Sequence, residues 1–454
     1  MSDHDVIVIG AGPAGENVAG RCAAGGLSTV IVERELVGGE CSYWGCIPSK
    51  TLARPGDVIA AARRVPGAAA AVTGEIDVAA ALARRDYMTS DWDDAGALGW
   101  LRSEGIELVR GAGRLAGERT VDVETSAGDV RRLTARRAVV LATGTRALMP
   151  PIPGLAESDP WDNRSVTGAK EIPRRLLVLG GGTVGTEMAQ AMRRLGSEEV
   201  TVVEGGPHLL AREEPFAGEE VRAAFEAEGI TVITGARLVS AERNGTVTGT
   251  LDDGRTITAE EILVAVGRRP STADIGLETV GLDPGKYVTV DDRLRAKGDW
   301  LYAVGDCNGR ALLTHMGKYQ ARLAGDVILG KPVAATAPVP RVTFTDPQVC
   351  AVGLTEAQAR AAGIDVRVVT YPTGDVSGAY TQGKDVRGTS QLVVDEARQV
   401  IVGATFTGPG VAELLHSATI AIVGEVSMDR LWHAVPSFPT VSEVWLRLME
   451  AYGL

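Results

Sequence analysis

A chain of 454 residues is too long for one compact core and predicts two or three domains. With 45% hydrophobic residues, 56 Gly and 21 Pro against 4% aromatics, the composition fits an α/β protein with many tight strand-to-helix turns and argues against disorder. The formal net charge of −12 offers no basic field for nucleic acid or anionic lipid, and five cysteines argue against a disulfide scaffold and for at most one special pair.

Residues 1–5 lead straight into the apolar strand Val6-Ile7-Val8-Ile9, without the basic region, apolar segment and cleavage site of a leader. No run of about 20 apolar residues follows anywhere, so a cytoplasmic protein without a membrane span is expected. The stretch DVIVIGAGPAGENVAGRCAAGGLSTVIVE, from Asp5 to Glu33, reads as strand, glycine-rich turn, alanine-rich helix and a second strand closing on an acid. From Val109 to Ala142 short alternating strands are expected, punctuated by Gly113, Gly117 and Gly128. Pro150, Pro151 and Pro153 mark a crossing between domains. RLLVLGGGTVGTEMAQAMRRLGSEEVTVVE, from Arg175 to Glu204, then repeats the first pattern. A further strand-rich stretch precedes VAVGRRP at 264–270, and WLYAVGD at 300–306 reads as a buried strand ending at an acid. Residues 333–340 look like a linker. Beyond it a strand at 391–394 and amphipathic helices at 413–423 and 442–451 are expected.

Gly10, Gly12 and Gly15 occupy the three positions of a dinucleotide fingerprint: tight turn, close approach of a pyrophosphate, and close packing of helix on strand. The helix N-terminus then faces the phosphates, and Glu33 can accept hydrogen bonds from a ribose diol. Such a glycine pattern alone also fits an ordinary loop; strand, helix and acid in register favour the dinucleotide. Gly180, Gly182, Gly185 and Glu204 repeat the set, so two dinucleotides are expected. A carboxylate at Glu204 suits a free 2′-hydroxyl and favours NADH over NADPH, although Arg212 is near in sequence and a solvated strand-end Glu reads the same way.

GGECSYWGCIPSK, from Gly38 to Lys50, sets Cys41 and Cys46 five residues apart. At the start of a helix, the macrodipole and unpaired amides stabilise a thiolate, and two such cysteines can close a small redox-active disulfide. A metal half-site is the other reading of the pair, but zinc needs two further ligands, and Cys22, Cys307 and Cys350 are isolated and fit a core role.

These stretches, with ATGT at 142–145, VAVGRRP, YAVGD ending at Asp306, LTHMGKYQARLAGDVILG from Leu313 and VTFTDPQVCAVGLTE from Val342, resemble the flavoprotein disulfide reductases, the class I pyridine nucleotide-disulfide oxidoreductases of the lipoamide dehydrogenase, glutathione reductase and mercuric reductase kind. The resemblance covers the whole chain. It implies an α/β fold with two Rossmann-like domains, for FAD and for NADH or NADPH, and a C-terminal α+β dimerisation domain. The implied boundaries are an FAD-binding domain at 1–149, an NAD(P)H-binding domain at 150–270, a second, central part of the FAD domain at 271–335 and a dimerisation domain at 336–454. It further implies a homodimer whose active site is completed across the interface, with Cys46 against the flavin and Cys41 attacking substrate. Asp306 would bind the ribityl chain, and the helix beginning near His315 and Met316 would point its N-terminus at the flavin's pyrimidine edge, where negative charge develops. Lys50 and Glu187 would form an ion pair beside the flavin, and Ala112, Thr143, Gly144, Met316 and Gly267 join the cofactor-binding residues.

The pattern breaks near the C-terminus. Where the family carries His-Pro-Thr, two residues, then Glu, this chain reads FPTVSE, so Phe438 replaces the acid–base His and Glu443 lacks its imidazole. A phenyl ring transfers no protons, and losing a positioned general acid costs about 10²–10⁴-fold in a reaction that depends on it. His433 is a conceivable substitute, and Tyr43 and Trp44 bring aromatics beside the dithiol, either shaping a flat substrate site or simply packing. The expected acceptor is a small-molecule disulfide that needs no imidazole. A diaphorase-like reduction of quinones or metal ions comes second, and a slow redox sensor third.

Overall fold

The computed structural model describes residues 2–454. The chain divides into two compact units: Met1–Pro48 with Arg84–Leu148 and Arg268–Thr336, and Ser49–Ala83 with Met149–Gly267 and Ala337–Leu454.

The first unit is built on a sheet whose strands run in the order Arg295–Lys297, Leu301–Ala303, Val130–Leu141, Ser2–Ile9, Thr29–Glu33 and Glu107–Arg110. The Ser2–Ile9 strand is parallel to both neighbours, Val6 lying opposite Thr29 on one side and Ala138 on the other. Parallel strands are covered on both faces, which is why VIVI and VIV are unbroken apolar runs rather than alternating ones. All of Val6, Ile7, Val8, Val30 and Ile31 are fully buried. The Pro13–Ala24 helix connects the first two strands and buries Val18, Ala19 and Cys22. The expected alternating strands appear at Ala112–Leu115, Thr120–Glu124 and Val130–Leu141, paired antiparallel before the last turns into the parallel sheet. Val109 instead belongs to a parallel edge strand, Glu107–Arg110.

The second unit holds a parallel sheet in the order Ile230–Thr234, Glu199–Glu204, Arg175–Leu179, Glu261–Val264, with the Thr183–Arg194 helix between its first two strands in sequence. A three-stranded antiparallel sheet, Leu238–Asn244, Thr246–Leu251 and Thr256–Ala259, accompanies it. A five-stranded antiparallel sheet, in the order Arg341–Thr343, Gln348–Gly353, Val400–Gly408, Thr389–Asp395, Val366–Pro372, carries the helices Val411–Val423 and Val444–Tyr452. Its core gathers Val352, Leu392, Phe406, Leu415 and Leu448. The last helix starts two residues later than its apolar spacing predicts, because Val441–Glu443 form a separate tight turn. No regular element lies between 329 and 340, as expected of a linker. No helix among the described residues is long and apolar enough to cross a membrane.

Candidate functional site

Each unit contains one glycine-rich turn, and the two are built alike. Gly10 and Gly180 have φ of +101° and +106°, and a side-chain carbon there would lie 2.5 Å from the Ala142 carbonyl oxygen or 2.6 Å from that of Ala265. At Gly15 and Gly185 it would meet the carbonyl oxygen of Gly10 or Gly180 at 1.9 Å, so only glycine lets each helix lie on its strand. Gly12 and Gly182 differ: the space beside them is open, with only the Gly39 Cα at 4.0 Å from the first and nothing within 4 Å of the second. An approaching phosphate finds bare backbone there, at the N-terminus of a 12-residue helix.

The two strand-end acids also match. Glu33 accepts the amides of Ala11 and Glu35, both at 2.7 Å, and Glu204 accepts those of Gly181 and Gly206, both at 2.6 Å. Each carboxylate is thus locked against its own glycine turn while each oxygen retains a second lone pair for a ribose hydroxyl. In the first unit, Glu33 borders a cleft of about 80 Å³ that Gly10, Ala112, Thr143 and Ser271 also line. Thr143 Oγ1 is buried without a hydrogen-bond partner, and Gly144 beside it has φ +67°. A buried hydroxyl with no partner in the protein is uncommon and suits a ligand contact.

Cys41 sits on a short helix, Gly39–Tyr43, and Cys46 opens the next, Cys46–Arg64. Their sulfurs lie 2.6 Å apart, inside van der Waals contact and not joined. The closeness of Cys46, and burial after it, raise the Cys41 thiol well above the ordinary range. Cys46 lies 3.3 Å from the hydroxyl of Thr314 and stands at the positive end of a 19-residue helix, a setting that favours a thiolate. Tyr43 is buried and hydrogen-bonded to the Val37 carbonyl, so it packs the loop instead of shaping a substrate site. The remaining cysteines are core residues, and burial pushes the Cys22 and Cys307 thiols up to about 12.

Asp306 lies in a turn after the Leu301–Ala303 strand, where burial raises its carboxyl above the ordinary value. It accepts the Thr145 hydroxyl at 2.8 Å, and Arg268 in turn holds Thr145 through its hydroxyl at 2.6 Å and its carbonyl at 2.8 Å. Arg268 also lies 3.6 Å from the Glu40 carboxylate. Thr145, Arg268 and Thr314 were not singled out from the sequence, although each falls inside a motif that was. The helix that begins at Thr314 buries Met316 in its first turn, while His315 faces solvent.

In the second unit Lys50, one turn beyond Cys46 on the same helix, pairs with Glu187 at 2.6 Å. The other Glu187 oxygen accepts the Phe344 amide at 2.9 Å, and the Lys50 ammonium lies 4.8 Å from the centre of the Phe344 ring. Gly267, with φ +145°, follows the strand beside Arg175–Leu179. Phe438 is 74% exposed, and His433 is exposed as well. Glu443 is buried and engaged by Arg447 at 3.0 Å and the Ser377 amide at 3.3 Å.

The family model "Pyridine nucleotide-disulphide oxidoreductase" matches residues 4–321, and that of the corresponding dimerisation domain matches 339–449. A dihydrolipoyl dehydrogenase of Thermus scotoductus is 33% identical over 99% of this chain and 98% of its own length. A mercuric reductase of Staphylococcus aureus is 29% identical over 97% of this chain and 81% of its own. Among solved structures, the Cu(II) complex of the HOCl-induced flavoprotein disulfide reductase RclA from Escherichia coli superposes with a TM-score of 0.88 at 25% identity, covering 99% of both chains. LpdA from Mycobacterium tuberculosis gives 0.88 at 25% identity over 100% of both. With the family model spanning most of the chain and the dihydrolipoyl dehydrogenase aligned over 98% of its own length, the chain belongs to the pyridine nucleotide-disulphide oxidoreductases, FAD-dependent enzymes with NAD(P)H as substrate.

Proposed function

We propose that the chain is an NADH-preferring reductase that carries electrons through FAD to the Cys41–Cys46 pair and on to a small-molecule disulfide. The 2.6 Å approach of the two sulfurs at the start of a long helix carries this reading. The first unit fits FAD: Gly12 leaves open backbone for a pyrophosphate, Glu33 keeps lone pairs for a ribose, Thr143 offers an unpaired hydroxyl, and Asp306 retains acceptor capacity for polyol hydroxyls. Gly182, Gly185 and Glu204 form the equivalent cradle for NADH, whose free 2′-hydroxyl suits the Glu204 carboxylate. The domain division 1–149, 150–270, 271–335 and 336–454 belongs to the same reading, as does a homodimer that completes the active site across its interface.

Bound FAD supplies the acceptor for hydride from NADH and passes the electron pair to sulfur. The Cys41–Cys46 disulfide takes up two electrons and one proton, leaving a thiol at Cys41 and a thiolate at Cys46. Cys41 gives up its proton to water, attacks the acceptor disulfide and forms a mixed disulfide while one thiolate departs. The Cys46 thiolate then attacks the Cys41 sulfur, restoring the protein disulfide and releasing the second thiolate. With Phe438 in place of a proton donor, departing thiolates leave unaided, which favours acceptors whose thiols are acidic. Cys41→Ser should abolish disulfide turnover while NADH still reduces the flavin; undiminished turnover would refute the reading.

A second reading, reduction of metal ions or quinones, is favoured by Phe438, since a metal ion takes electrons without a proton and a reduced quinone takes its two protons from water, and by the kinds of relative: a mercuric reductase and a reductase described as a Cu(II) complex. NADH oxidation by Cu(II) or a quinone that survives Cys41→Ser would support it, and no activity with either acceptor would exclude it.

A further inference from the structure

The backbone departs furthest from what its residues prefer at Ser90–Trp92, where three consecutive non-glycine residues have φ of +51°, +52° and +57°. Side chains disfavour this left-handed region, and such a run persists only where its surroundings impose it. Those surroundings are visible. Thr89 donates its hydroxyl to the carbonyls of Arg85 and Asp86, at 3.2 and 3.0 Å. Arg85, wholly buried, binds the Asp86 carboxylate at 2.6 Å and brings its guanidinium to 5.3 Å from the centre of the Trp92 ring. The turn therefore delivers the Trp92 indole to one place, where its N–H donates to the Tyr43 carbonyl at 3.2 Å.

Tyr43 ends the short helix that carries Cys41, and only Trp44 and Gly45 separate it from the helix that opens at Cys46. The break between the helices is what joins the sulfurs. In one continuous helix, residues five apart point about 140° away from each other around the axis. The Trp44 amide already binds the Glu40 carbonyl at 2.8 Å, as it would in such a continuation. A terminal helix carbonyl needs a partner from outside the helix, and Trp92 supplies it for Tyr43.

We infer that Trp92 is a positioning residue that sets how readily Cys41 and Cys46 form their disulfide, by holding the Tyr43 carbonyl and with it the break between the two helices. This rests on the dithiol reading above. The reduced pair does not need the break, whereas the disulfide does, so loosening it disfavours the oxidised form.

Trp92→Phe keeps the ring over Arg85 and removes the N–H. The holoenzyme is equilibrated in glutathione buffers, where two protein thiols and one oxidised glutathione give one protein disulfide and two reduced glutathiones, and the Cys41–Cys46 disulfide is counted by alkylation and mass. The equilibrium constant for forming it is expected to fall about three- to ten-fold, the worth of one hydrogen bond; an unchanged constant in a folded variant overturns the inference. Should Trp92→Phe fail to fold, hydrogen exchange at the Trp92 indole in the unmodified oxidised protein decides: exchange slowed at least about ten-fold relative to a free indole supports the bond, and free-indole exchange overturns it. No Cys41–Cys46 disulfide in the unmodified protein, even in the most oxidising buffer, overturns both and identifies the dithiol reading as the fault.

Discussion

At Glu443 the residue chemistry has been rewired: its carboxylate meets Arg447 and the Ser377 amide, and the residue that would have brought an imidazole is an exposed Phe438. Phe438→His is expected to raise turnover of aliphatic disulfides about 10-fold or more while leaving aromatic disulfides with acidic thiols nearly unchanged. Parallel steady-state assays check it, and an equal effect on both classes would contradict the unaided departure of thiolates. A second residue stands against its own charge. Burial, with a further push from Glu33 and a partial offset from Lys318, lifts the Glu16 carboxyl to about 7. Because the folded value lies above the unfolded one, this group's contribution to stability falls as pH rises from about 4.5 to 7. Glu16→Gln should therefore be more stable than the unmodified protein above pH 7, by on the order of 1–3 kcal/mol, and the gap should close below pH 5. Urea unfolding across that range measures it. The cysteines and the glycine turns were legible because each is a residue type with few alternative uses at such spacing. Thr145, Arg268 and Thr314 were not, because hydroxyls and guanidiniums are common everywhere and only the chain's folding brings them to Asp306 and Cys46.

At the scale of elements, the strand–turn–helix units were legible in full, since a buried parallel strand, a glycine that tolerates positive φ and a helix that must lie close all leave marks on the sequence. Gly185→Ala places a carbon 1.9 Å from the Gly180 carbonyl oxygen and must displace the helix from its strand. It is expected to weaken NADH binding at least about 10-fold while flavin content is retained, because Gly10, Gly12 and Gly15 lie in the other compact unit. Absorbance and NADH titration together check this, and concurrent loss of flavin would contradict it. The break between the helices carrying Cys41 and Cys46 was not legible. Nothing local distinguishes Tyr43–Trp44–Gly45 from the interior of one helix except a single glycine, and Trp92, which holds the break, lies 49 residues away.

At the scale of the whole molecule, the C-terminal segment exposes Ile420, Val423, Trp432, Val435 and Phe438, with Val435 84% exposed, in a region that matches the dimerisation domain. Large apolar side chains exposed on the surface of a chain of net charge −12 suit an interface. Replacing Val435 and Phe438 together by Asp is expected to shift the protein from dimer to monomer in sedimentation velocity and to lower disulfide turnover with it; a dimer of unchanged stability would contradict the proposed interface. The central claim, that electrons from NADH reach sulfur through flavin, is tested most directly by anaerobic titration of the holoenzyme with NADH. A long-wavelength thiolate–flavin charge-transfer band is expected to grow over the first equivalent and to be absent from Cys46→Ser. Bleaching of the flavin by that first equivalent, with no such band in the unmodified protein, would contradict it.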